Sequence, residues 1–391
     1  MAAEPLSLRP LLAELEARDL KRWRRTVRRA VPETANIELD GRPCIDFCSN
    51  DYLGLAAHAL VVEAFIAAAR IHGVGARASH LVTGHQAEHE ALEREFAAYT
   101  GRERAIVFST GYMANLGLVR ALAARGAAVF GDELNHASLI DGGRLSGALL
   151  HRYPHADAAA LEQQLAASGS GPLIVLTDGV FSMDGDLAPL PALAEACARH
   201  GALLAVDDAH GLGVVGETGR GSLEHFGLSP AEVPALVGTF GKAFGTFGAF
   251  VAGSGDLVET LVQRARSYIY TTALPPAVAA ATRAALAVSI SEPWRRERVL
   301  ALTGRFRTMA AAAGIRLGPS ETPIQPILLG SADSAMRASS ALLERGFFVA
   351  AIRPPTVPAD TSRLRITLSA AHRDADVEDL VAALVELVPP E

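Results

Sequence analysis

Residues 236–248 read L-V-G-T-F-G-K-A-F-G-T-F-G and place Lys242 directly after a short apolar run. The flanking Gly241 and Gly245 lack side chains, so they permit unusual backbone conformations and let a bulky group approach the chain. Apolar neighbours disfavour a charged ammonium, and we therefore expect Lys242 to be shifted toward its neutral amine. A neutral lysine amine can condense with an aldehyde to form a Schiff base. For an isolated G-K pair the alternative is a solvated loop lysine, and the rest of the chain decides between the two.

Composition sets the first limits on function. The chain has 391 residues, of which 50% are hydrophobic, and a formal net charge of −7. This length predicts two domains with a substantial core, and the net charge argues against general nucleic-acid binding. No apolar run approaches the ~20 residues that span a bilayer, so no membrane association is expected. The three cysteines (Cys44, Cys48 and Cys197) show no metal-type pairing, which predicts a reducing, cytoplasmic location.

A run of basic residues near the N-terminus is predicted to form the basic face of an amphipathic helix. It comprises Lys21, Arg22, Arg24, Arg25, Arg28 and Arg29 around Trp23. Acidic residues precede the run, which argues against a transit peptide. The face is either solvated or in contact with an anionic substrate.

Short apolar runs recur between helical segments from about residue 90 onward. A helix is predicted over Glu90–Tyr99, ending before Gly101. The predicted strands are Ala105–Phe108, Ala127–Phe130, Leu173–Thr177, Leu203–Val206, Leu236–Thr239 and Ala249–Ala252. This alternation predicts an α/β fold with a mostly parallel sheet flanked by helices.

The pattern changes after about residue 280 to a long helical stretch, and later strands are predicted at Ile324–Leu329, Gly346–Ile352 and Leu364–Leu368. A final helix is predicted around Val377–Leu387, so the C-terminal part is expected to be a smaller α+β domain. The predicted division is an N-terminal helix and arm (1–45), a large α/β domain (46–285) and the small domain (286–391).

The segment His85-Gln86-Ala87-Glu88-His89 matches the H-x-x-E-H pattern of some zinc proteases. Two histidines four apart would face one side of a helix and could bind a metal. No clear third ligand follows in the sequence, so we favour a polar helix N-terminus at the surface. A zinc hydrolase built on His85 and His89 remains as an alternative function.

Polar residues follow the predicted strands at the sheet edge where α/β enzymes carry their chemistry. Asp207 and Asp208 point in opposite directions in an extended chain, so only one can serve there. Gly111 and Tyr112 open a helix whose free N–H groups favour a phosphate. His136 and His210 follow strands as well, where they can stack on a cofactor ring or hydrogen-bond it. With Lys242, these residues meet the demands of a pyridoxal 5′-phosphate (PLP) site.

Five motifs carry a resemblance to a known family: S-N-D-Y-L-G-L (49–55), N-H-A-S-L (135–139), V-F-S-M-D-G-D (180–186), V-D-D-A-H-G (206–211) and T-F-G-K (239–242). In this order and spacing the chain resembles the α-oxoamine synthases from about residue 45 to about residue 372. These are fold type I PLP enzymes that condense an amino acid with an acyl thioester and release CO₂. The resemblance reverses the interpretation of Lys242, which is now expected to form the Schiff base with PLP.

The resemblance also implies roles for individual residues. Lys242, His136 and Asp207 are expected to be catalytic, with Asp207 on the pyridinium and His136 stacked on the ring. The implied cofactor-binding residues are Gly111, Tyr112, His136, Ser182, Asp207, His210, Thr239, Lys242, Thr271 and Thr272. Thr271 and Thr272 are expected to reach the phosphate of a neighbouring subunit, because the family's sites lie at a homodimer interface. The implied substrate-binding residues are Arg25, Asn50, His136, Thr356 and Arg365, and no metal is expected.

Residues 351–358 and 362–372 resemble the members that join L-alanine to a pimeloyl thioester early in biotin synthesis. The expected products are an amino ketone, CO₂ and a free thiol, with CoA or an acyl carrier protein as the thiol. Thr356 and an N-terminal arginine, best matched by Arg25, are expected to contact the acyl chain. One alternative within the family uses glycine and a shorter acyl-CoA, and a PLP-like scaffold without activity is a further one.

Overall fold

The computed structural model describes residues 8–17, 21–22, 24–123 and 126–388. Trp23, in the middle of the predicted basic helix, lies outside the described residues. Among the residues that are described, no helix is both long and apolar enough to cross a bilayer.

Fourteen strands are described. They are β1 (Val27–Ala30), β2 (Asn36–Leu39), β3 (Arg42–Asp46), β4 (Arg104–Phe108), β5 (Ala128–Asp132), β6 (Leu149–Tyr153), β7 (Leu173–Asp178), β8 (Leu203–Asp207), β9 (Ala235–Thr239), β10 (Ala249–Gly253), β11 (Ile324–Gly330), β12 (Phe347–Phe348), β13 (Ala350–Ile352) and β14 (Ser362–Thr367).

Fourteen α-helices are described, with one π-helical turn at His80–Gly84. They are α1 (Arg9–Ala17), α2 (Ala59–His72), α3 (Ala87–Tyr99), α4 (Gly111–Leu122), α5 (Ala137–Ser146), α6 (Ala158–Ala166), α7 (Leu190–His200), α8 (Ser222–Phe226), α9 (Gly255–Arg264), α10 (Arg266–Ile269), α11 (Pro276–Ser291), α12 (Trp294–Ala312), α13 (Ala332–Glu344) and α14 (Asp374–Leu387).

The main sheet has seven strands in the order β4-β10-β9-β8-β7-β5-β6. Strand β10 runs antiparallel to β4 and β9, and the other neighbours are parallel, which confirms the predicted mostly parallel sheet. Its central strands are continuous apolar runs because helices cover both faces and bury nearly all of their side chains. All six strands predicted in this region are present, within two residues at each end.

Strand β6 at the sheet edge was not predicted from the sequence. Its residues L-L-H-R-Y alternate poorly, and four of the five are exposed or half-buried. An edge strand buries only part of its surface, so it carries a weaker apolar signal than a central strand.

The predicted N-terminal basic helix is wrong over the described part of the run. The first helix is α1, which ends at Ala17, and Val27–Ala30 forms strand β1. Strand β1 pairs antiparallel with β2 across a turn that contains Pro32. Arg28 and Arg29 lie in strand β1 instead, whose backbone groups are satisfied by pairing with β2. The described basic residues before Val27 belong to neither a helix nor a strand.

The predicted strand Gly346–Ile352 is divided in two. Strand β12 pairs with β3, whereas β13 pairs with β14 in a separate sheet of order β11-β14-β13. Because β1, β2, β3 and β12 form one sheet, the N-terminal arm is joined to the C-terminal part of the chain.

The H-x-x-E-H segment lies at a helix N-terminus, as predicted, but one of its two histidines is not at the surface. Helix α3 begins at Ala87, so His85 lies before it, and His89 is fully buried. Nε2 of His89 is 2.6 Å from the carbonyl oxygen of Leu274, and its Nδ1 accepts the N–H of Gln86 at 3.0 Å. Within the described ranges no group of three His, Cys, Asp or Glu side chains is placed to bind a metal. The described structure therefore gives the zinc-hydrolase alternative no support.

Candidate active site

A cavity of about 250 Å³ opens at the carboxyl ends of the central strands. It is lined by Thr110, Gly111, Tyr112, Asn115, His136, Asp178, Ser182, Asp207, Ala209, His210, Thr239, Gly241, Lys242, Phe247 and Gly248. The structure thus brings together Lys242, Asp207, His136 and the five other residues of the predicted set that follow strand ends.

Lys242 lies in a tight turn that follows β9. Gly245 has φ +65°, and a Cβ there would lie 2.3 Å from the backbone nitrogen of Ala56, so no side chain fits. Gly241 has no such constraint, since its nearest contact would be 3.4 Å away. The surrounding protein displaces water from the half-buried ammonium, and this desolvation lowers the pKa of Lys242. The prediction of a shift toward the neutral amine is supported.

Asp207 ends β8 and projects its carboxylate into the cavity. Oδ2 accepts a 2.6 Å hydrogen bond from Nδ2 of Asn115, and Oδ1 accepts the N–H of Ala209 at 3.0 Å. These two donors fix the orientation of the carboxylate at the cavity. Asn115 was not predicted, although it lies four residues after Gly111 and so on the same face of α4.

The neighbouring Asp208 points away from the cavity, as the alternation of an extended chain requires. Its Oδ2 accepts the N–H of Ser222 at 2.7 Å. A Cβ on Gly211 or Gly221 would lie within about 2.1 Å of this carboxyl, so the backbone encloses it closely. Of these two adjacent acids, Asp207 is therefore the one available to a ligand.

Asp178 lies beside Asp207, because the two residues are paired in register across β7 and β8. Burial and the adjacent charge of Asp207 raise the pKa of Asp178. Its Oδ2 accepts the backbone N–H of His136 at 2.7 Å. Asp178 thus anchors the start of α5 rather than adding a second full charge to the cavity.

His136 is the N-cap of α5, and this fixes the orientation of its ring. Its Nδ1 lies 2.6 Å from Oγ of Ser138 and accepts the N–H of the same residue at 3.3 Å. Burial lowers the pKa of His136, so the imidazole is neutral near pH 7. A neutral, fixed ring is suited to packing on another aromatic ring.

One end of the cavity has the features of a phosphate site. The N–H groups of Gly111 and Tyr112 begin α4 and have no acceptor within the helix. A Cβ at Gly111 would lie 2.7 Å from Cγ2 of Thr239, so only glycine leaves this end open. The hydroxyl of Thr239 is buried without a hydrogen-bond partner in the described chain. These unpaired donors, together with Lys242 and Asp207, fit the predicted PLP.

His210 is buried on the opposite side of the cavity. Its Nδ1 lies 2.6 Å from the hydroxyl of Tyr52, a contact not predicted from the motif S-N-D-Y-L-G-L. Burial and the charge of Lys242 lower the pKa of His210, which keeps its ring neutral.

Arg365 and Asn50, predicted to hold an amino-acid carboxylate, contact each other. Nη2 of Arg365 donates to Oδ1 of Asn50 at 3.2 Å, and its Nε donates to the carbonyl oxygen of Ser182 at 2.6 Å. The guanidinium therefore lies beside a residue that lines the cavity, although Arg365 and Asn50 are not part of the cavity wall itself.

The arginine beside Thr356 is Arg22 rather than Arg25. Nη2 of Arg22 lies 3.5 Å from Oγ1 of Thr356. Arg25 instead lies 3.4 Å from Oδ2 of Asp40 and above the ring of Phe348. The selection of Arg25 assumed a helix, whereas the described residues directly around it belong to neither a helix nor a strand, and different side chains come together.

Thr271 and Thr272 do not line the cavity of their own subunit. Thr272 is exposed and forms an isolated bridge with Ser79. Their role toward a second subunit stays a prediction.

Residues 180–186, here called the bridging loop, are held by the C-terminal part of the chain. Arg363 of β14 forms an ion pair with Asp184. The hydroxyls of Ser320 and Thr322 both donate to the carbonyl oxygen of Gly185 at 2.9 Å.

The bridging loop is held from the other side by His155. Its Nε2 lies 2.9 Å from Oδ2 of Asp186, and its Nδ1 lies 3.1 Å from Oδ1 of Asp132. Burial opposes the charge on this ring, but the hydrogen bonds to the two carboxylates outweigh it and raise the pKa of His155 to about 10. A charged imidazole therefore joins the bridging loop to the segment that leads into His136.

Comparison with known proteins agrees with this geometry. The aminotransferase class I and II family matches residues 42–384. The 8-amino-7-oxononanoate synthase of Methylococcus capsulatus is 60% identical over 97% of this chain and 98% of its own length.

Two solved structures extend the comparison. A serine palmitoyltransferase from S. paucimobilis with a bound PLP–myriocin aldimine is 30% identical, with a TM-score of 0.92 and 97% of each chain covered. An 8-amino-7-oxononanoate synthase from Francisella tularensis is 32% identical, with a TM-score of 0.77, and the match covers 88% of this chain and 98% of that one. The chain therefore belongs to the aminotransferase class I and II family, among the α-oxoamine synthases that include the 8-amino-7-oxononanoate synthases.

Proposed function

We propose that this chain is a PLP-dependent enzyme that condenses L-alanine with a pimeloyl thioester. The products are 8-amino-7-oxononanoate, CO₂ and the free thiol, in the synthesis of biotin. The observation that carries the proposal is that Lys242, Asp207 and His136 line one and the same cavity. Arg365 and Asn50 lie beside this cavity. The relative from Methylococcus capsulatus, at 60% identity, supports the choice of reaction.

Bound PLP supplies an aldehyde for the lysine amine and a pyridinium ring that withdraws electrons from the substrate. Lys242 would be the covalent anchor of the cofactor, and its amine would move a proton to and from the Cα atom of the amino acid. Asp207, held in place by Asn115 and the N–H of Ala209, would be the partner of the ring nitrogen. His136 packs against the ring, and His210 and Ser182 contact its substituents.

The remaining residues of the site bind and orient the cofactor phosphate and the amino-acid substrate. Thr239 and the N–H groups of Gly111 and Tyr112 hold the phosphate. The guanidinium of Arg365 binds the alanine carboxylate, which suits its fork of parallel donors, and Asn50 positions that guanidinium.

The acyl chain of the thioester ends in a second carboxylate, which needs a cation. Arg22 with Thr356 supplies this contact, and Arg25 stays engaged with Asp40. The N-terminal run of basic residues thereby gains a role in the binding of an anionic acyl donor.

We further propose that the enzyme is a homodimer in which Thr271 and Thr272 reach the phosphate of the neighbouring subunit. The segment is supported in this role by its exposure and by the exposed ring of Tyr270 next to it. The division into 1–45, 46–285 and 286–391, the cytoplasmic location and the carrier of the pimeloyl group stay predictions.

The test is release of labelled CO₂ from 1-¹⁴C amino acids by the holoenzyme. Alanine is paired with pimeloyl-CoA and with a pimeloyl-loaded carrier protein, glycine with acetyl- or succinyl-CoA, and serine with palmitoyl-CoA. We expect the alanine and pimeloyl pairs to be at least tenfold faster than the others. A faster rate with glycine or serine would contradict the substrate assignment, and no release from any pair would contradict the reaction.

A further inference from the structure

A second cavity, of about 200 Å³, lies near the start of β9, whereas the PLP cavity lies at the end of the same strand. Its apolar wall includes Leu223 at the start of α8, Leu228 and Leu236 of β9. Two arginines, Arg102 and Arg220, also line it. The proposed reaction uses none of these residues.

The guanidinium of Arg102 is buried without a matching anion. The residue is only 7% exposed, and its Nη1 donates to the carbonyl oxygen of Val233 at 2.5 Å. Its Nε has no hydrogen-bond partner, and Arg102 forms no ion pair with any described residue. Burial alone lowers the pKa of Arg102 to about 10. A buried charge with unused donors is costly unless a counter-ion pairs with it.

The one acidic residue in the wall does not pair with it. Oε2 of Glu224 accepts the N–H groups of Thr218 and Arg220, each at 3.0 Å, and Oε1 accepts the hydroxyl of Thr218 at 2.5 Å. Because both oxygens are occupied in holding the loop before α8, no carboxylate of the described residues is left to pair with Arg102. Arg220 adds a second positive charge at the same cavity.

We propose that this cavity is a binding site for a small oxyanion, a phosphate or a short carboxylate, held by the guanidinium of Arg102. The three leucines leave room for a short apolar tail, and this favours a carboxylate with a few carbon atoms over a bare ion. Binding stabilises the loop before α8, since the cavity wall includes both Arg220 and Glu224 of that loop.

The site is tested by thermal unfolding of the holoenzyme at constant ionic strength. Sodium phosphate, sodium butyrate and sodium chloride are titrated against the wild type, Arg102→Met and the control Arg337→Gln, which changes an exposed arginine of α13. We expect saturable stabilisation by phosphate or butyrate, with half-saturation in the millimolar range, in the wild type and the control. Arg102→Met should require at least tenfold more anion, with kcat unchanged. Whichever of phosphate and butyrate half-saturates the wild type at the lower concentration shows whether the site prefers an inorganic or an organic ligand.

Equal stabilisation of wild type and Arg102→Met would overturn the proposal, as would a wild-type response that never saturates. A purely structural Arg102 predicts a variant that is destabilised equally at every anion concentration, which is also contrary to the proposal. Should Arg102→Met fail to fold, wild-type crystals of the holoenzyme soaked in bromide decide the question. An anomalous peak within hydrogen-bond distance of the Arg102 guanidinium supports the site, and its absence overturns it.

Discussion

Nδ2 of Asn115 donates a 2.6 Å hydrogen bond to Oδ2 of Asp207, and this contact joins α4 to the end of β8. The helix whose N-terminus is proposed to hold the phosphate therefore also orients the acid proposed for the pyridinium. In the proposed site, phosphate binding and ring protonation are therefore expected to be linked through the side chain of Asn115.

We expect Asn115→Leu to weaken PLP binding by about tenfold, since a hydrogen bond to a charged group contributes about 1.5–3 kcal/mol. Equilibrium dialysis gives the PLP dissociation constant, and the absorbance of bound PLP as a function of pH reports the ring nitrogen. Asn36→Leu, at an exposed asparagine of β2, serves as the control. An unchanged dissociation constant and pH titration would show that Asn115 does not act through Asp207.

Lys242 can be identified chemically with little ambiguity, because the chain contains only two lysines, Lys21 and Lys242. Borohydride reduction of the holoenzyme should attach PLP to the peptide with Lys242 and leave the peptide with Lys21 unmodified, as read by mass spectrometry. Lys242→Ala should lose about 10³-fold in kcat, because it loses both the anchor and the proton-transfer group. Lys21→Ala should keep its activity within about twofold of wild type. Attachment at Lys21 alone would refute the assignment.

Arg22 and Arg25 are predicted to differ in function. Arg22→Ala should raise the KM for the pimeloyl thioester about tenfold with kcat unchanged, because a charge-assisted contact to the substrate is lost. Arg25→Ala should change KM by less than about twofold, since Arg25 contacts Asp40 at the surface. The KM values of both variants are measured by steady-state kinetics in which the thioester concentration is varied at saturating alanine. A larger effect at Arg25 would mean that the arm rearranges when substrate binds.

His155 predicts a specific dependence of stability on pH. Its pKa is raised to about 10, so its ion pairs with Asp132 and Asp186 contribute fully below its unfolded pKa of about 6.5. That contribution is lost as the pH rises through about 10. His155→Gln should therefore lower the free energy of unfolding by about 2 kcal/mol at pH 6, with the deficit shrinking toward pH 10.

Urea unfolding at pH 6, 8 and 10 measures this difference, with His225→Gln at an exposed histidine as the control. A deficit that is the same at all three pH values would argue for lost packing rather than a lost charge. Rescue by His155→Arg at pH 10, where wild type is weakened, would support the role of the charge.

The sequence predicted the main sheet and most of the cavity because both follow from one simple pattern. A central parallel strand is a continuous apolar run, and the polar residues after it meet at one sheet edge. Lys242, Asp207, His136 and Gly111 were found in this way.

The residues that were missed act through contacts that have no local sequence signal. Asn115 reaches Asp207 across 92 positions of the chain, and Tyr52 reaches His210 across 158. The contact between Arg22 and Thr356 was not predicted because the basic run was assigned to a helix. An amphipathic pattern of arginines is compatible with extended backbone too, and the pairing of β1 with β2 decided between them.

The bridging loop has a consequence for engineering. Its residues belong to the first two-thirds of the chain, yet Arg363, Ser320 and Thr322 from the last third hold it in place. A chimera that takes residues 286–391 from another α-oxoamine synthase will therefore misplace Ser182 unless residues 180–186 are exchanged together with them. We therefore expect the geometry around Ser182 to be transferable only as a pair of distant segments and not as a single contiguous module.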